Sequence, residues 1–461
     1  MAAKGGLHVK LVKTNLFQFK RSTNNGPVCP SPHFEPRYGV LSATAPVAAL
    51  APFRVRSFRF QWPADLATSW AFEMETLILG WYVLVETQSV FMLTVFASLL
   101  YIGTLLAPMF GVMGDRIGHR NVLCAMRTVY ATLATILMVL AFTGLVTPGY
   151  VLISATVFGL VRPSDIGMRT AVVGDIVPAT QLMGAMSIQR TTQDSARIAG
   201  ALTGAGVVAT LGMGPAYFVV ASLYVASVLL TLKAGGARTM PHPAPDAAPV
   251  PARASPWHEL RAGLAYVWTT PHLLAMMCLA FLLNLTAFPL FNSLLPYVAK
   301  EIYHADQTVL GYMVAGAASG AVATSLALSR YGSVVHPARM MIIACLVWYS
   351  LLFVFGHTPH PAGGITVLIL AGCMQSLSQV PMATMLLRNS DVRFRGRIMG
   401  IRMLAIYGNL PGLLISGPLI AHFGFPVTAT LYCAIGLGFT LLIAVRWRAH
   451  LWRLDAPVNV R

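Results

Sequence analysis

Twelve apolar stretches, each near bilayer-crossing length, constrain this chain more than any other feature of its sequence. They lie near 63–85, 89–111, 122–143, 149–171, 183–208, 214–233, 272–296, 307–328, 339–356, 363–386, 399–421 and 426–446. About 20 apolar residues suffice for a helix to span a bilayer core. Lipid offers the backbone no hydrogen-bond partner, so a spanning segment is a helix or part of a closed barrel. These runs are continuously apolar and lack a period of two, which selects helices. Composition agrees: 56% of the residues are apolar and 10% charged, far too little charge to cover a soluble globule of 461 residues. The expected fold class is therefore an all-α polytopic membrane protein.

Charge gives the orientation. With both termini in the cytoplasm, the outer loops fall near 86–88, 144–148, 209–213, 297–306, 357–362 and 422–425, and of 32 Lys and Arg only Lys300 lies in one of them. The inner loops and tails hold the rest of the loop cations, among them Arg116, Arg120, Arg261, Arg339, Arg393, Arg397 and Arg448. Cytoplasmic loops collect Lys and Arg, so the net charge of +17 needs no nucleic-acid partner. The expected site is the cell inner membrane, with both ends on the cytoplasmic side.

The chain divides into a basic tail (1–56), six spans (57–233), a Pro/Ala-rich linker (234–256), an interfacial helix near 257–268 with six more spans (257–447), and a basic C-terminal tail (448–461). The first tail lacks a signal-peptide core. It reads as a disordered arm or an over-extended start of translation, with an organelle-targeting segment as the alternative. A 6+6 arrangement with a site between the halves is a transporter architecture.

Residues 111–123, GVMGDRIGHRNVL, join spans 2 and 3. They closely resemble the loop 2–3 signature of the major facilitator superfamily, G-x-x-x-D-R-x-G-[RH]-[RK]. The segments at 177–189, 196–206, 257–273 and 393–403 are similar to those of the enterobactin-exporter and macrolide-efflux branch. The resemblance covers about residues 57–447. It implies two six-helix halves around a central cavity lined by spans 1, 4, 7 and 10. It also implies export of a siderophore- or drug-like molecule against proton entry. A lipid or lysophospholipid transporter of the same fold, or a non-transporting receptor, is the alternative. Two positions depart from the pattern: Ala201 follows Gly200 where the antiporter motif usually has Pro, and 329–340 carries no Asp where the motif repeats.

In the motif, Gly111, Gly114 and Gly118 allow a tight turn. Asp115 is positioned to accept bonds from Arg116 or Arg120, or to face the start of span 11. These contacts read as a gate that breaks when the halves rock.

Ionisable residues inside spans are costly and face a cavity or a partner. On span 1, Asp65, Ser69, Glu73, Thr76 and Gly80 share an arc of about 80°, expected to face the cavity, and Glu75 lies about 160° round from Glu73. Glu73 is thus the candidate proton carrier, and Glu75 is expected to pair with a neighbouring helix. Span 4 places Arg162, Asp165 and Arg169 on one face. Arg162 is expected at the depth of Glu73, either coupled to it or binding an anionic cargo group. Span 5 carries Arg190, Asp194 and Arg197, with Asp194 in reach of both arginines. Gly200 and Gly204 follow on that span, and Gly316 and Gly320 form a similar pair on span 8. Such pairs let helices pack closely, and the resemblance implies that spans 5 and 8 meet across the halves as a sliding interface. In the second half, Asn284, Asn292, Gln375 and Gln379 are candidate cargo contacts or structural bonds. Trp70, Phe288 and Phe291 are candidates for cavity walls or packing.

No GxxxxGK[ST] or HExxH motif is present, so neither an ATP-driven pump nor a zinc protease is expected. The expected protein is a monomeric, non-enzymatic carrier. It needs no cofactor, metal or nucleic acid, and its partners are a small-molecule cargo, protons and lipids.

Overall fold

In a computed structural model of the chain, residues 51–234, 256–331, 337–388, 401–402 and 404–449 are described, all within one unit, Val47–Arg461. Among them every regular element is helical. The first half comprises α1 (Arg56–Thr87), α2 (Val90–Leu99), α3 (Ala107–Ile117), α4 (His119–Thr143), α5 (Pro148–Ile176), α6 (Ala179–Leu211) and α7 (Met213–Lys233). After α8 (Pro256–Thr269), the second half begins with α9, which starts as Pro271–Leu282 and continues through π turns as one apolar rod to Ile302. Then follow α10 (Gln307–Tyr331), α11 (Pro337–Gly356), α12 (Pro361–Arg388), α13 (Asn409–Phe423) and α14 (Phe425–Arg446).

Eight of these helices are long and apolar enough to cross a membrane by themselves: α4, α5, α7, α9, α10, α11, α12 and α14. The other four expected crossings fall on α1 and α6, which carry charges, on α2–α3, and on the short α13 with the turn Ile406–Gly408 before it. The stretch at 89–111 is not one continuous helix as expected. It breaks at a 3-10 turn, Ile102–Leu106, where Gly103 packs so closely on the Gly159 and Leu160 carbonyls of α5 that a side chain would not fit. In α9, Pro289 and Pro296 lack the N–H of a regular helix, and the chain widens into π turns beside them. The expected interfacial helix at 257–268 coincides with α8. The linker residues 235–255 and both tail segments 1–50 and 450–461 lie outside the described residues.

Apolar side chains divide between the inside and the surface. Tyr130, Tyr217 and Tyr224 pack with Phe96 and Phe158 to form the core of the first half. Met313, Trp348, Tyr349 and Phe355 centre the core of the second, which also takes in Leu77, Val90, Ala201 and Ala205 from the first. Those four mark where the halves meet. Ile153, Phe218, Leu229, Phe439 and Val445 are exposed, as lipid-facing residues are in a bundle that spans a bilayer.

Candidate functional site

The α1 stripe fixes the site. Glu73, Thr76 and Gly80 line a cavity of about 210 Å³, closed on its other sides by α2, Arg162 of α5, Arg197 of α6, Asn292 and Pro296 of α9, and Leu310 and Val314 of α10. A smaller cavity of about 120 Å³ continues below it, lined by Ser69, Glu73, Arg162, Asp165 and Arg169. Glu73 and Arg162 therefore stand at the junction of both spaces. Gly200 makes room for the acid: a Cβ there would come within 2.7 Å of the Glu73 Cβ.

Glu73 and Arg162 do not touch as an ion pair. Among the described residues neither makes a hydrogen bond or salt bridge, and Arg162 stacks over the ring of Phe72, 3.1 Å from its centroid. Arg197 reaches across the halves and donates to the Asn292 side-chain oxygen. The expectation that Asp194 holds both arginines is corrected. Asp194 pairs with the exposed Arg190 at 3.2 Å, while Arg197 lies a turn further toward the cavity and turns to α9.

Other charges are spent on structure. Asp65 does not face the cavity as the stripe predicted. It is buried where α4 and α5 close around α1, accepting from Gln61 at 2.8 Å and from Arg127, which also donates to Thr231. Asp165 pairs with Arg169 at 2.6 Å, and Arg169 donates to Ser69 at 2.7 Å. Asp165 thus borders the smaller cavity as a bonded group. Glu75 points away from Glu73, and the Tyr224 hydroxyl of α7 donates to it at 2.8 Å, the neighbouring-helix pairing expected of it.

Of the cargo contacts named in the second half, Asn284, Gln375 and Gln379 line neither cavity. Asn284 accepts from Asn409 at 2.8 Å and donates to the Ala280 carbonyl. Gln379 accepts from Arg402 at 3.3 Å, and Gln375 sits on α12 away from both spaces. These are packing bonds between helices. Asn292 and Ser293 are the α9 polar groups that do reach the cavity. Phe288 and Phe291 pack edge-on against Trp348, and Trp70 donates to Thr203 at 2.9 Å.

Spans 5 and 8 meet across the halves as expected, α6 packing along α10, but not through their glycine pairs. Gly200 and Gly204 receive α1 at Trp70 and Met74, and Gly316 and Gly320 receive α12 at Ile365 and Ile369. Across the halves it is Gly311 that meets Ala201 and Ala205. Those alanines lie one position on from the two glycines, about 100° round α6. Gly80 meets Pro296 and Gly417 meets Thr94 and Phe91, and the Lys300 ammonium bonds the Leu84 carbonyl at 3.4 Å and the Gln88 side-chain oxygen at 2.9 Å. These contacts join the two halves at the Lys300 end.

At the motif, Gly118 has φ +92, a conformation that favours glycine, and it joins α3 to α4. Arg120 bonds the Thr231 and Leu232 carbonyls at the C-terminal end of α7, where a cation complements the helix dipole. His119 bonds Asp175 of α5 at 2.8 Å, Gly114 is buried against His119 and Met168, and Arg116 is exposed. The side chains at Gly111 and Asp115, and residues 389–400, lie outside the described residues, and with them the expected Asp115 contacts.

Sequence reasoning missed Arg127, Tyr224 and Phe72. A lone Arg within an apolar span was the available signal for Arg127; the other two are ordinary aromatic residues that only their neighbours make special. A larger groove on α4 and α7, lined by Thr132, Ile136, Val139 and Leu229, carries no charge.

Over residues 47–457 the chain matches the family described as transmembrane secretion effector (MFS_3), and it belongs to that family of the major facilitator superfamily. Fold and family together define a multi-pass membrane transporter, not an enzyme. Solved structures of the same fold include the POT family transporter PepTSo (TM-score 0.67, 13% identity, 87% of this chain and 99% of that one). The nucleoside transporter NupG (TM-score 0.62, 16% identity, 86% and 98%) and a D-xylose–proton symporter (TM-score 0.63, 12% identity, 85% and 97%) are also similar. No curated protein matches the chain in sequence.

Proposed function

We propose that the chain is a monomeric secondary active exporter of the cell inner membrane, with both termini cytoplasmic. It moves a small siderophore- or drug-like molecule outward by alternating access, in exchange for protons. The observation that carries this reading is the cavity between the halves, lined by Glu73, Arg162 and Arg197, with neither Glu73 nor Arg162 in an ion pair or hydrogen bond among the described residues. The family's description as a secretion effector favours the outward direction.

Glu73 is the proton carrier. When ionised it sits in the field of Arg162 and Arg197 and helps to hold the cargo. A proton arriving from outside neutralises it, cargo binding weakens, and the halves return. The loop of Gly111, Gly114, Asp115, Arg116, Gly118 and Arg120 acts as the gate on the cytoplasmic side, and the Lys300 contacts close the opposite side. Asp65, Asp165 and Glu75 hold the first half together so that Glu73 stays in place.

The test uses proteoliposomes with an imposed pH gradient, comparing a siderophore, a macrolide and a lysophospholipid as cargo. Gradient-driven transport of the siderophore or the macrolide is expected in the wild type, with loss of the gradient's effect in Glu73→Gln. Full proton-driven transport by Glu73→Gln overturns the assignment.

A further inference from the structure

We propose that the cavity selects a small molecule bearing both an acidic and a basic group, its acid held by Arg162 and Arg197 and its base by Glu73. This rests on the transport reading above and names its cargo class.

The pattern of pairing carries the inference. Elsewhere in the first half the buried charges have partners: Arg127 with Asp65, Arg169 with Asp165 at 2.6 Å, Asp194 with the exposed Arg190 at 3.2 Å, and Glu75 with the Tyr224 hydroxyl. At the cavity the rule breaks. Glu73 and Arg162 make no hydrogen bond or ion pair among the described residues, and Arg197 spends one N–H on Asn292. Opposite charges withdrawn from water and left unpaired are costly unless a ligand completes them. A ligand with both signs completes all three.

The balance of charge refines this. Two guanidiniums face one carboxylate, so the acid of the cargo is its anchor and a purely cationic molecule is repelled. Leu93, Phe96, Leu310 and Val314 form an apolar part of the wall, beside the polar Thr76, Asn292 and Ser293, and suit a short hydrocarbon body. At about 210 Å³ the space is smaller than the usual pocket for a drug-sized ligand, about 300–1,000 Å³, so with the halves closed as here it admits a small zwitterion, and a siderophore or macrolide requires the halves to part. The coupling sign also follows. A cargo ammonium needs Glu73 ionised, so cargo and proton exclude each other, as exchange requires. A purely anionic cargo would instead bind better with Glu73 protonated.

Three probes with one phenyl body separate these cases: phenylalanine, 3-phenylpropionate and phenethylamine, titrated against the purified full chain in lipid nanodiscs. Phenylalanine is expected to bind about tenfold more tightly than phenylpropionate, and phenethylamine not measurably; one hydrogen bond to a charged group supplies a difference of that size. Glu73→Gln should bring phenylalanine down to the level of phenylpropionate, and Glu73→Asp should keep the order. Arg197→Gln should weaken both acids. Lowering the pH from 8 to 6 should weaken phenylalanine and leave phenylpropionate as tight or tighter. Equal binding of the two acids, no binding of phenylalanine, or a Glu73→Gln protein that is monodisperse and still prefers phenylalanine overturns the proposal. Loss of this order while the siderophore or macrolide still responds to a pH gradient sinks this cargo class alone. The order without any gradient-driven flux sinks the transport reading instead.

Discussion

Arg127 shows how much a single side chain can carry in this bundle. It is fully buried between Asp65 and Thr231, joining α4 to α1 and α7. Arg127→Ala strands a buried carboxylate, which costs about 3–5 kcal/mol. Thermal unfolding of the purified protein should show a large loss, and adding Asp65→Asn should return part of it. Tyr224→Phe removes one bond to a buried carboxyl group and should cost about 1.5–3 kcal/mol, with the response of transport to a pH gradient retained. Gly200→Ala should both lower thermal stability and impair that response, because the new methyl would meet the Glu73 Cβ at 2.7 Å and the Trp70 carbonyl at 3.0 Å and so push α1 away. At this scale the sequence was readable wherever helical periodicity alone decides direction. That is why Glu73 reached the cavity and Glu75 the neighbouring helix. It was not readable where direction depends on a partner far away in the chain: Arg127 and Asp65 are 62 residues apart, and no spacing rule joins them.

Helices in lipid gain little from burying apolar surface against one another, so small residues and interhelical bonds decide how they pack. The Gly200/Gly204 and Gly316/Gly320 pairs were visible as flat faces, yet a flat face does not say which helix lies on it. Each proved to hold its own half together, and the neighbouring Ala201 and Ala205 face Gly311 across the halves. Two substitutions separate these roles. Gly204→Leu should reduce the yield of folded protein, because it drives a side chain into the Met74 backbone. Gly311→Leu should leave each half folded but block closure at the Lys300 end, seen as transport loss without loss of thermal stability. The break between α2 and α3 escaped the sequence for a related reason. Hydropathy runs unbroken through 89–111; the 3-10 turn falls where Pro108, at the start of α3, leaves the Thr104 carbonyl without its helical donor and where Gly103 packs closely on α5.

The chain forms two helical cores that meet along α6 and α10 and along α2 and α13, with charged groups of opposite sign enclosed between them. Hydropathy is a property of long segments, and it was enough to read an all-helical, multi-pass membrane fold. The contact of Lys300 with Gln88 and Leu84 gives the closed end a handle. Joining Gln88→Cys to Lys300→Cys by a disulfide should arrest transport, and reduction should restore it. Alternating access itself is tested most directly by the accessibility of a single cysteine at Thr76 on the cavity wall, with the six native cysteines replaced. A membrane-impermeant maleimide is applied from either face of oriented vesicles. The account predicts labelling from the face opposite Lys300 when that end is closed, and a shift toward the Lys300 face when Glu73 changes protonation. Equal labelling from both faces at every pH would mean an open pore and would contradict it.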